Sequence, residues 1–343
     1  MPRSTINDVA RRAEVSKSTV SRVLSGNVDY MRPDTRARVL RAIEELNFRP
    51  SSLARSLISK QTRTVGLLIS DVGNPFYSDV IHGVESVALD KGYAVYLFNV
   101  SYDLARGRAF TDVLIDKRVD GVILMSSTMS DDLVLKLTQH EVPTIVYDWT
   151  TTVEAGDLGS LLVDFTPGIR AAADHLYDLG HRRFAHVSGP LSLSTSRLRR
   201  DIFIEALTAH GIAPEDVRVV EGNLRIDGGR QALKRILDVP VRPTAVFCAN
   251  DLTALGMIFA ARDLGVHIPQ DLSVVGLDDI QLAAEIDPPL STVSLPRFLI
   301  GSTCMHMLLD VLRMVSEKSA TGPLIRQVES GFVARKSTAP PPR

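Results

Sequence analysis

From Thr64 onward, short apolar runs alternate with amphipathic helical stretches, and this alternation commits most of the chain to parallel α/β layers. V-G-L-L-I-S comes first, and Val80, Val84, Val87 and Ala88 then share one helical face that ends at Gly92. Y-A-V-Y-L-F-N-V, a helix over 103–117, V-D-G-V-I-L-M-S, a helix over 132–140 and P-T-I-V-Y-D-W continue the series. A second series begins after S-L-L-V-D-F, with strands at R-F-A-H-V-S-G, V-R-V-V-E-G, T-A-V-F-C-A-N and S-V-V-G-L-D-D, each separated by a helical segment. The pattern predicts two subdomains of like construction, each a doubly wound parallel sheet, facing one another across a cleft suited to a small molecule. The S-T-V-S-L-P segment and the helix over 298–315 are predicted to cross back to the first half, and Q-V-E-S-G-F-V-A-R to supply the last strand region of the second. The boundaries that follow are 64–163 plus 294–320 for the first half and 164–293 plus 321–336 for the second, with S-T-A-P-P-P-R (337–343) expected to be disordered.

The first 50 residues read differently. Thr5 with Asp8 three residues later is an N-cap signature, and Ile6, Val9, Ala10 and Ala13 fall on one helical face. Glu14 and Val15 make a turn, and Ser16 is placed to cap a second helix whose Val20, Val23 and Leu24 point inward. Lys17, Ser18, Ser21 and Arg22 then lie outside. Pro33 starts a third helix reaching about Asn47, with Val39, Ala42 and Ile43 inside. The spacing fits an all-α helix-turn-helix headpiece, in which side chains near the start of the second helix reach base edges in a major groove, and equally an ordinary amphipathic helical hairpin with a solvated face. Residues 51–63 form a short helix candidate and polar linker carrying Leu53, Ala54, Leu57 and Ile58, too short to be stable alone.

Charge supports a DNA-facing head. Residues 1–60 carry 12 Lys and Arg against 6 Asp and Glu, whereas the rest of the chain carries 27 against 34, so a basic head precedes an acidic body. No apolar run approaches the roughly 20 residues of a membrane span and the N-terminus lacks an apolar signal core, which points to a cytoplasmic protein without a membrane partner. Cys248 and Cys304 lack metal-ligand spacing and read as reduced core residues; no metal or other cofactor is expected. The eight histidines are scattered, and H-E-x-x-H, G-x-G-x-x-G and G-K-[ST] are all missing, so an enzyme is not expected.

D-V-A-R-R-A-E-V-S-K-S-T-V-S-R-V-L-S-G, R-P-D-T-R-A-R-V-L-R-A-I-E-E-L-N-F-R-P and L-A-R-S-L closely resemble the headpiece and hinge helix of LacI/GalR transcription regulators. D-V-G-N-P-F-Y, L-G-H-R-R, A-N-D, V-V-G-L-D-D and P-P-L-S-T-V extend the resemblance through a body similar to the periplasmic-binding-protein fold. The resemblance implies a homodimer on a pseudo-palindromic operator, with repression as the usual outcome. Lys17, Ser18 and Arg22 would face bases, and Thr5, Thr19 and Ser21 phosphates. Ala54 and Leu57 of paired hinge helices would enter the minor groove, Leu57 as an apolar wedge.

For the small-molecule effector, strand-end polar groups and aromatics are the candidates. The first half offers Asp71, Asn74, Phe76, Tyr77, Ser126, Ser127, Asp148 and Trp149; the second offers Thr195, Arg199, Asn250, Asp251 and Asp278. By family position Arg199, Asn250 and Asp278 stand out, a guanidinium and a carboxylate being able to bracket vicinal hydroxyls. Each has a plainer role open to it: Asp251 as a helix cap, Asn74 as a turn former before Pro75, Phe76 and Trp149 as packing. Leu224 stands where sugar-responsive members often carry an aromatic, and Leu193 where purine-responsive members have arginine. A sugar or sugar acid is the ligand class this implies. The body alone would also suit a solute-binding protein without a DNA role, which the basic head and missing signal core oppose.

Overall fold

The computed structural model describes residues 4–24, 31–48 and 61–342, apart from 127, 150, 154, 320 and 321. Two compact units emerge, residues 1–63 and 64–343. In the first, α1 (Ile6–Arg12), α2 (Lys17–Leu24) and α3 (Pro33–Glu45) enclose Val9, Ala10, Ala13, Val20, Val39 and Ala42. The predicted inward faces of α1 and α2 are the observed ones. Thr5 and Asp8 form a reciprocal capping box, and Ser16 Oγ accepts from Thr19 N at 3.1 Å, capping α2. Ala54 and Leu57 of the predicted hinge lie outside the described residues.

The second unit is two six-stranded sheets. The first lobe contains β1 (Thr64–Ile69), β2 (Ala94–Asn99), β3 (Gly121–Met125), β4 (Thr144–Tyr147) and β5 (Leu158–Asp164), with α4 (Phe76–Asp90), α5 (Leu104–Asp116) and α6 (Asp131–Gln139) between them. The second lobe begins with α7 (Thr166–Asp178), β6 (Phe184–Ser188), α8 (Ser194–Ala209), β7 (Val217–Glu221), α9 (Ile226–Leu237) and β8 (Ala245–Cys248). It continues through α10 (Asp251–Asp263), β9 (Ser273–Asp278), the short α11 (Gln281–Glu285) and β10 (Ser291–Ser294). The chain then returns to the first lobe as α12 (Arg297–Ser316) and β11 (Leu324–Glu329), and ends its strands with β12 (Gly331–Val333). Strand orders are β11-β5-β4-β3-β1-β2 and β12-β10-β9-β8-β6-β7, parallel except where β12 pairs antiparallel with β10. Strands buried on both faces explain the continuous apolar runs, as in the fully buried Val65–Ile69.

Three expectations change. Q-V-E-S-G-F-V-A-R holds two strands rather than one region. β11 pairs with β5 from Leu324↔Gly159 to Glu329↔Asp164, so 324–329 belongs to the first lobe and only β12 to the second. The break falls at Ser330, whose N–H and hydroxyl both donate to the Asp164 carbonyl and whose hydroxyl accepts from Gly168 N, joining two crossovers. Secondly, residues 337–342 are ordered. Ser337 is fully buried, donates to Val274 O at 2.6 Å and accepts from Ser291 N, while His181 contacts Ala339 O at 2.9 Å. Proline and small residues read as disorder by composition, but here their polar groups find partners at the first residues of β9 and β10, interior strands of the second sheet. Thirdly, α12 is long and apolar enough to cross a membrane, yet Ile300, Cys304, Met305, Met307, Leu308 and Val311 are buried in the protein core.

Candidate effector cleft and DNA-reading helix

In the head, Ser16, Lys17, Ser18 and Arg22 are exposed, and Thr19 and Ser21 half-exposed. The Ser16 hydroxyl is engaged by its own helix, 2.7 Å from Ser18 Oγ and 2.9 Å from Thr19 Oγ1. Its first duty is therefore to hold the helix start at which Lys17 and Ser18 project.

In the body, the carboxyl ends of the strands face one another across a narrow cleft, with about 550 Å³ of atom-free space when the part open to solvent is included. The first lobe lines it with Ser70 after β1, Asn74, Phe76 and Tyr77 at the start of α4, Tyr102, Met125, and Tyr147 and Asp148 at the end of β4. The second lobe supplies Thr195, Arg199, Leu224, Asn250 and Asp278. Phe76 and Tyr77 meet edge-to-face with centroids 5.1 Å apart, and the Tyr77 hydroxyl donates to Met125 O at 3.0 Å. Asn250 caps α10 by accepting from Thr253 N, and its amide donates to Leu224 O, so one side chain shapes both a helix start and the cleft wall.

Arg199 is the electrostatic centre. Its guanidinium lies 4.4 Å over the Phe165 ring, donates to Ala249 O at 3.1 Å and stands 3.7 Å from Asp148 Oδ2 in the opposite lobe. Its buried Nε has no hydrogen-bond partner among the described residues. Burial pushes the Asp148 carboxyl up to about 7, with Arg199 pulling the other way. Asp278 is raised further, to about 8, by burial and by the nearby Asp251 carboxylate, opposed by Arg199 and by its hydrogen bond with Asn74. Both carboxyls therefore hold protons readily near neutral pH, and the cleft mixes donors and acceptors with little net charge. At the mouth, Arg225 Nη2 and Nε donate to Asp71 Oδ2 at 2.9 and 3.1 Å, joining the lobes.

Comparison with known proteins completes the assignment. Residues 5–51 match the bacterial regulatory proteins of the lacI family, and residues 173–338 match a periplasmic binding protein-like domain. The chain is 36% identical over 341 residues to the HTH-type transcriptional repressor PurR of Erwinia tasmaniensis, covering 99% of this chain and 98% of that protein. It belongs to the LacI family. A like-named repressor of Aliivibrio salmonicida is 33% identical over 311 residues, 90% of this chain and 92% of its own length. Among solved structures, the lac repressor dimer bound to operator and the anti-inducer ONPF superposes with a TM-score of 0.85 at 29% identity, covering 98% of this chain and all of that one. The CelR–cellobiose complex gives 0.71 at 30% identity, with the same coverage. This LacI-family chain is thus a DNA-binding transcription regulator with the two-lobed body of its relatives.

The structure gathers eight of the effector candidates, Asn74, Phe76, Tyr77, Asp148, Thr195, Arg199, Asn250 and Asp278, around one cleft. Three others stand apart from the lining. Asp71 is taken up in the bridge to Arg225 at the mouth. Ser126, just past the end of β3, is buried with its hydroxyl 3.0 Å from Thr128 Oγ1. Trp149 packs against the outer core of the first lobe, since Asp148 takes a left-handed backbone (φ 54°) that swings the next side chain off the cleft. Asp251 is neither cap nor ligand group: fully buried, it accepts from Ile280 N at 2.8 Å and Thr292 Oγ1 at 2.6 Å, while Asn250 does the capping. Ser70, Tyr102, Met125 and Tyr147 were not singled out by the sequence reading. Each ends or follows a strand that reads as core, and only the position of the cleft reveals which face they show.

Proposed function

We propose that this protein is a transcription repressor that binds a pseudo-palindromic operator as a homodimer in the cytoplasm, under control of a hydroxyl-rich small molecule of the carbohydrate class, a sugar or sugar acid. The observation that carries the ligand reading is the convergence of Arg199, Asp148, Asn74, Asn250 and Asp278 from both lobes beside four aromatic rings. Carboxyls, amides and a guanidinium match vicinal hydroxyls, which both donate and accept, and rings cover the apolar face of a sugar. Arg199 is the cleft's one cationic side chain, and with Asp148 and Asp278 holding protons near neutral pH it is open to the carboxylate of a sugar acid as well as to the hydroxyls of a neutral sugar. Structural relatives solved with cellobiose and with ribose support the class; Leu193 withholds the arginine that purine-responsive members use, while Leu224 lacks the aromatic that many sugar-responsive members carry.

Repression is supported by relatives named as transcriptional repressors along their whole length, and dimerisation by the lac repressor dimer bound to operator. The relatives are named as transcriptional repressors, which supports a regulator rather than an enzyme. In the head, Lys17, Ser18 and Arg22 would read bases, with Thr5, Thr19 and Ser21 on phosphates and Ala54 and Leu57 in the minor groove. Ligand seating between the lobes would change the relative placement of paired first lobes and hence of the heads, a coupling of about 1–3 kcal/mol in typical regulators. Calorimetry of the full chain against a panel of neutral sugars, sugar acids and purines, with Arg199→Ala as control, tests the ligand class. A sugar or sugar acid should bind and lose roughly 100-fold in affinity in the variant, as expected for removing one or two charge-assisted hydrogen bonds. Tight binding of a purine with no response to any sugar would refute it.

A further inference from the structure

Asp278, the second-lobe carboxyl of the cleft, stands on a strained turn. Its φ is 124° and that of Asp279 is 56°, both in the region that favours glycine. Strain of this kind persists only where surrounding groups hold it. Arg335 holds the Asp279 carboxylate at 2.7 Å, and a second arginine, from the other lobe, holds the backbone. Arg297 Nη1 donates to Asp278 O at 2.8 Å and also to Asp279 O, while Nε and Nη2 reach Asp79 Oδ2 at 2.9 and 2.8 Å.

Arg297 is the first residue of α12, immediately after the Leu295–Pro296 crossover, and its backbone is fixed to the first lobe. At the crossing of α4 and α12 the backbones nearly touch: a Cβ on Gly301 would lie 1.9 Å from Val80 O, and one on Gly83 2.2 Å from Phe298 O. Asp79 lies in the first turn of α4, whose opening residues Phe76 and Tyr77 line the cleft. One guanidinium therefore ties the ligand-bearing start of α4 in the first lobe to the ligand-bearing end of β9 in the second. Its planar fork allows carboxylate and carbonyls to be held in different directions at once, which an ammonium on a flexible stem does less well.

We propose that Arg297 is a positioning residue for the cleft: anchored on the first lobe, it fixes the strained Asp278–Asp279 turn and with it both the place of the Asp278 carboxylate and the angle between the lobes. Arg297 touches no ligand itself on this account, and its role rests on the cleft being the effector site. A readout that needs no effector separates the two. The exposed Asp116 and Glu215, one in each lobe, are replaced by cysteine in the full chain and spin-labelled, since Cys248 and Cys304 are buried. The interlobe distance distribution is then measured without ligand, diluted with unlabelled protein, for wild type, Arg297→Gln, Arg297→Lys and Asp79→Asn.

A single narrow distribution is expected for wild type. Arg297→Gln should add a second, longer distance comprising at least a third of the population, and Asp79→Asn a smaller one. Arg297→Lys should fall between wild type and Arg297→Gln, because it keeps the charge beside Asp79 and loses the fork. If Arg297→Gln does not fold, the Lys and Asn variants decide. Variants that fold, whatever their melting temperature, and keep the narrow wild-type distribution would overturn the proposal and leave a purely structural arginine. Calorimetry with the sugar identified on wild type then adds a second check: at least a tenfold loss in Arg297→Gln is expected, and unchanged affinity would also overturn it. Failure of every sugar to bind wild type would count against the ligand class alone, leaving the distance result standing.

Discussion

Asp278→Asn should stabilise the body while impairing its response to ligand. The amide keeps the size and the acceptor oxygen of the protonated carboxyl, and asparagine tolerates positive φ better than most residues. In the folded protein the Asp278 carboxyl is pushed up to about 8 from its ordinary 3.8, by burial first and by Asp251 second. Because the folded-state value is the higher one, the stability that protonation brings is fully present below about 4 and is lost as the pH rises through about 8. An amide has no such dependence. Between those limits the variant should gain on wild type by up to about 1.4 kcal/mol per pH unit, an upper limit of about 4 kcal/mol at pH 7, and the gain should level off above about pH 8. Relief of repulsion on Asp251, itself raised to about 6, acts in the same direction. Urea unfolding followed by Trp149, the chain's one tryptophan, reports on the body alone. Midpoints at pH 5, 7 and 9 should show a widening, then constant, gap in favour of the variant. A variant less stable than wild type at pH 9, or a gap independent of pH, would refute the account of the cleft's electrostatics.

Other perturbations follow from the same contacts. Gly301→Ala places a methyl against the Val80 carbonyl with backbone on both sides, and should destabilise the body by about 1–3 kcal/mol, at the upper end because neither side can yield; differential scanning calorimetry would read this as a lower Tm. Ser16→Ala removes the cap of α2 at a cost of about 1 kcal/mol in a three-helix head, and should weaken binding to all operator variants alike. Lys17→Ala should instead change which operator is preferred, read by fluorescence anisotropy across a panel of half-site sequences.

The head was legible nearly in full. Its caps, turn and inward face are local features, and Glu14 takes the left-handed turn (φ 53°) between helices where the pattern broke. The body's alternation likewise gave both lobes, because strands buried on both faces leave unbroken apolar runs. The errors arose where partners are distant in sequence. Whether β11 joins β5 or β10 depends on a crossover at Ser330 that no local periodicity records. The tail's order depends on Val274, Ser273 and His181, all more than sixty residues away. In the cleft, charged and amide groups at strand ends were recognisable, whereas Tyr102, Met125 and Tyr147 look like core until the lobes face one another. Arg297 and Arg225 were invisible for the same reason: each is one of many arginines until its partner across the lobes is seen.

The most direct test of the central claim is operator binding by the full chain, measured by fluorescence anisotropy on a palindromic site selected from random DNA, across a salt series and with each sugar that calorimetry shows to bind. The account predicts affinity that falls steeply and log-linearly with salt, as phosphate neutralisation requires, and a shift of at least fivefold when the cleft is filled, lost in Arg199→Ala. No affinity for any DNA at low salt would contradict it, as would operator affinity that ignores a ligand bound in the cleft.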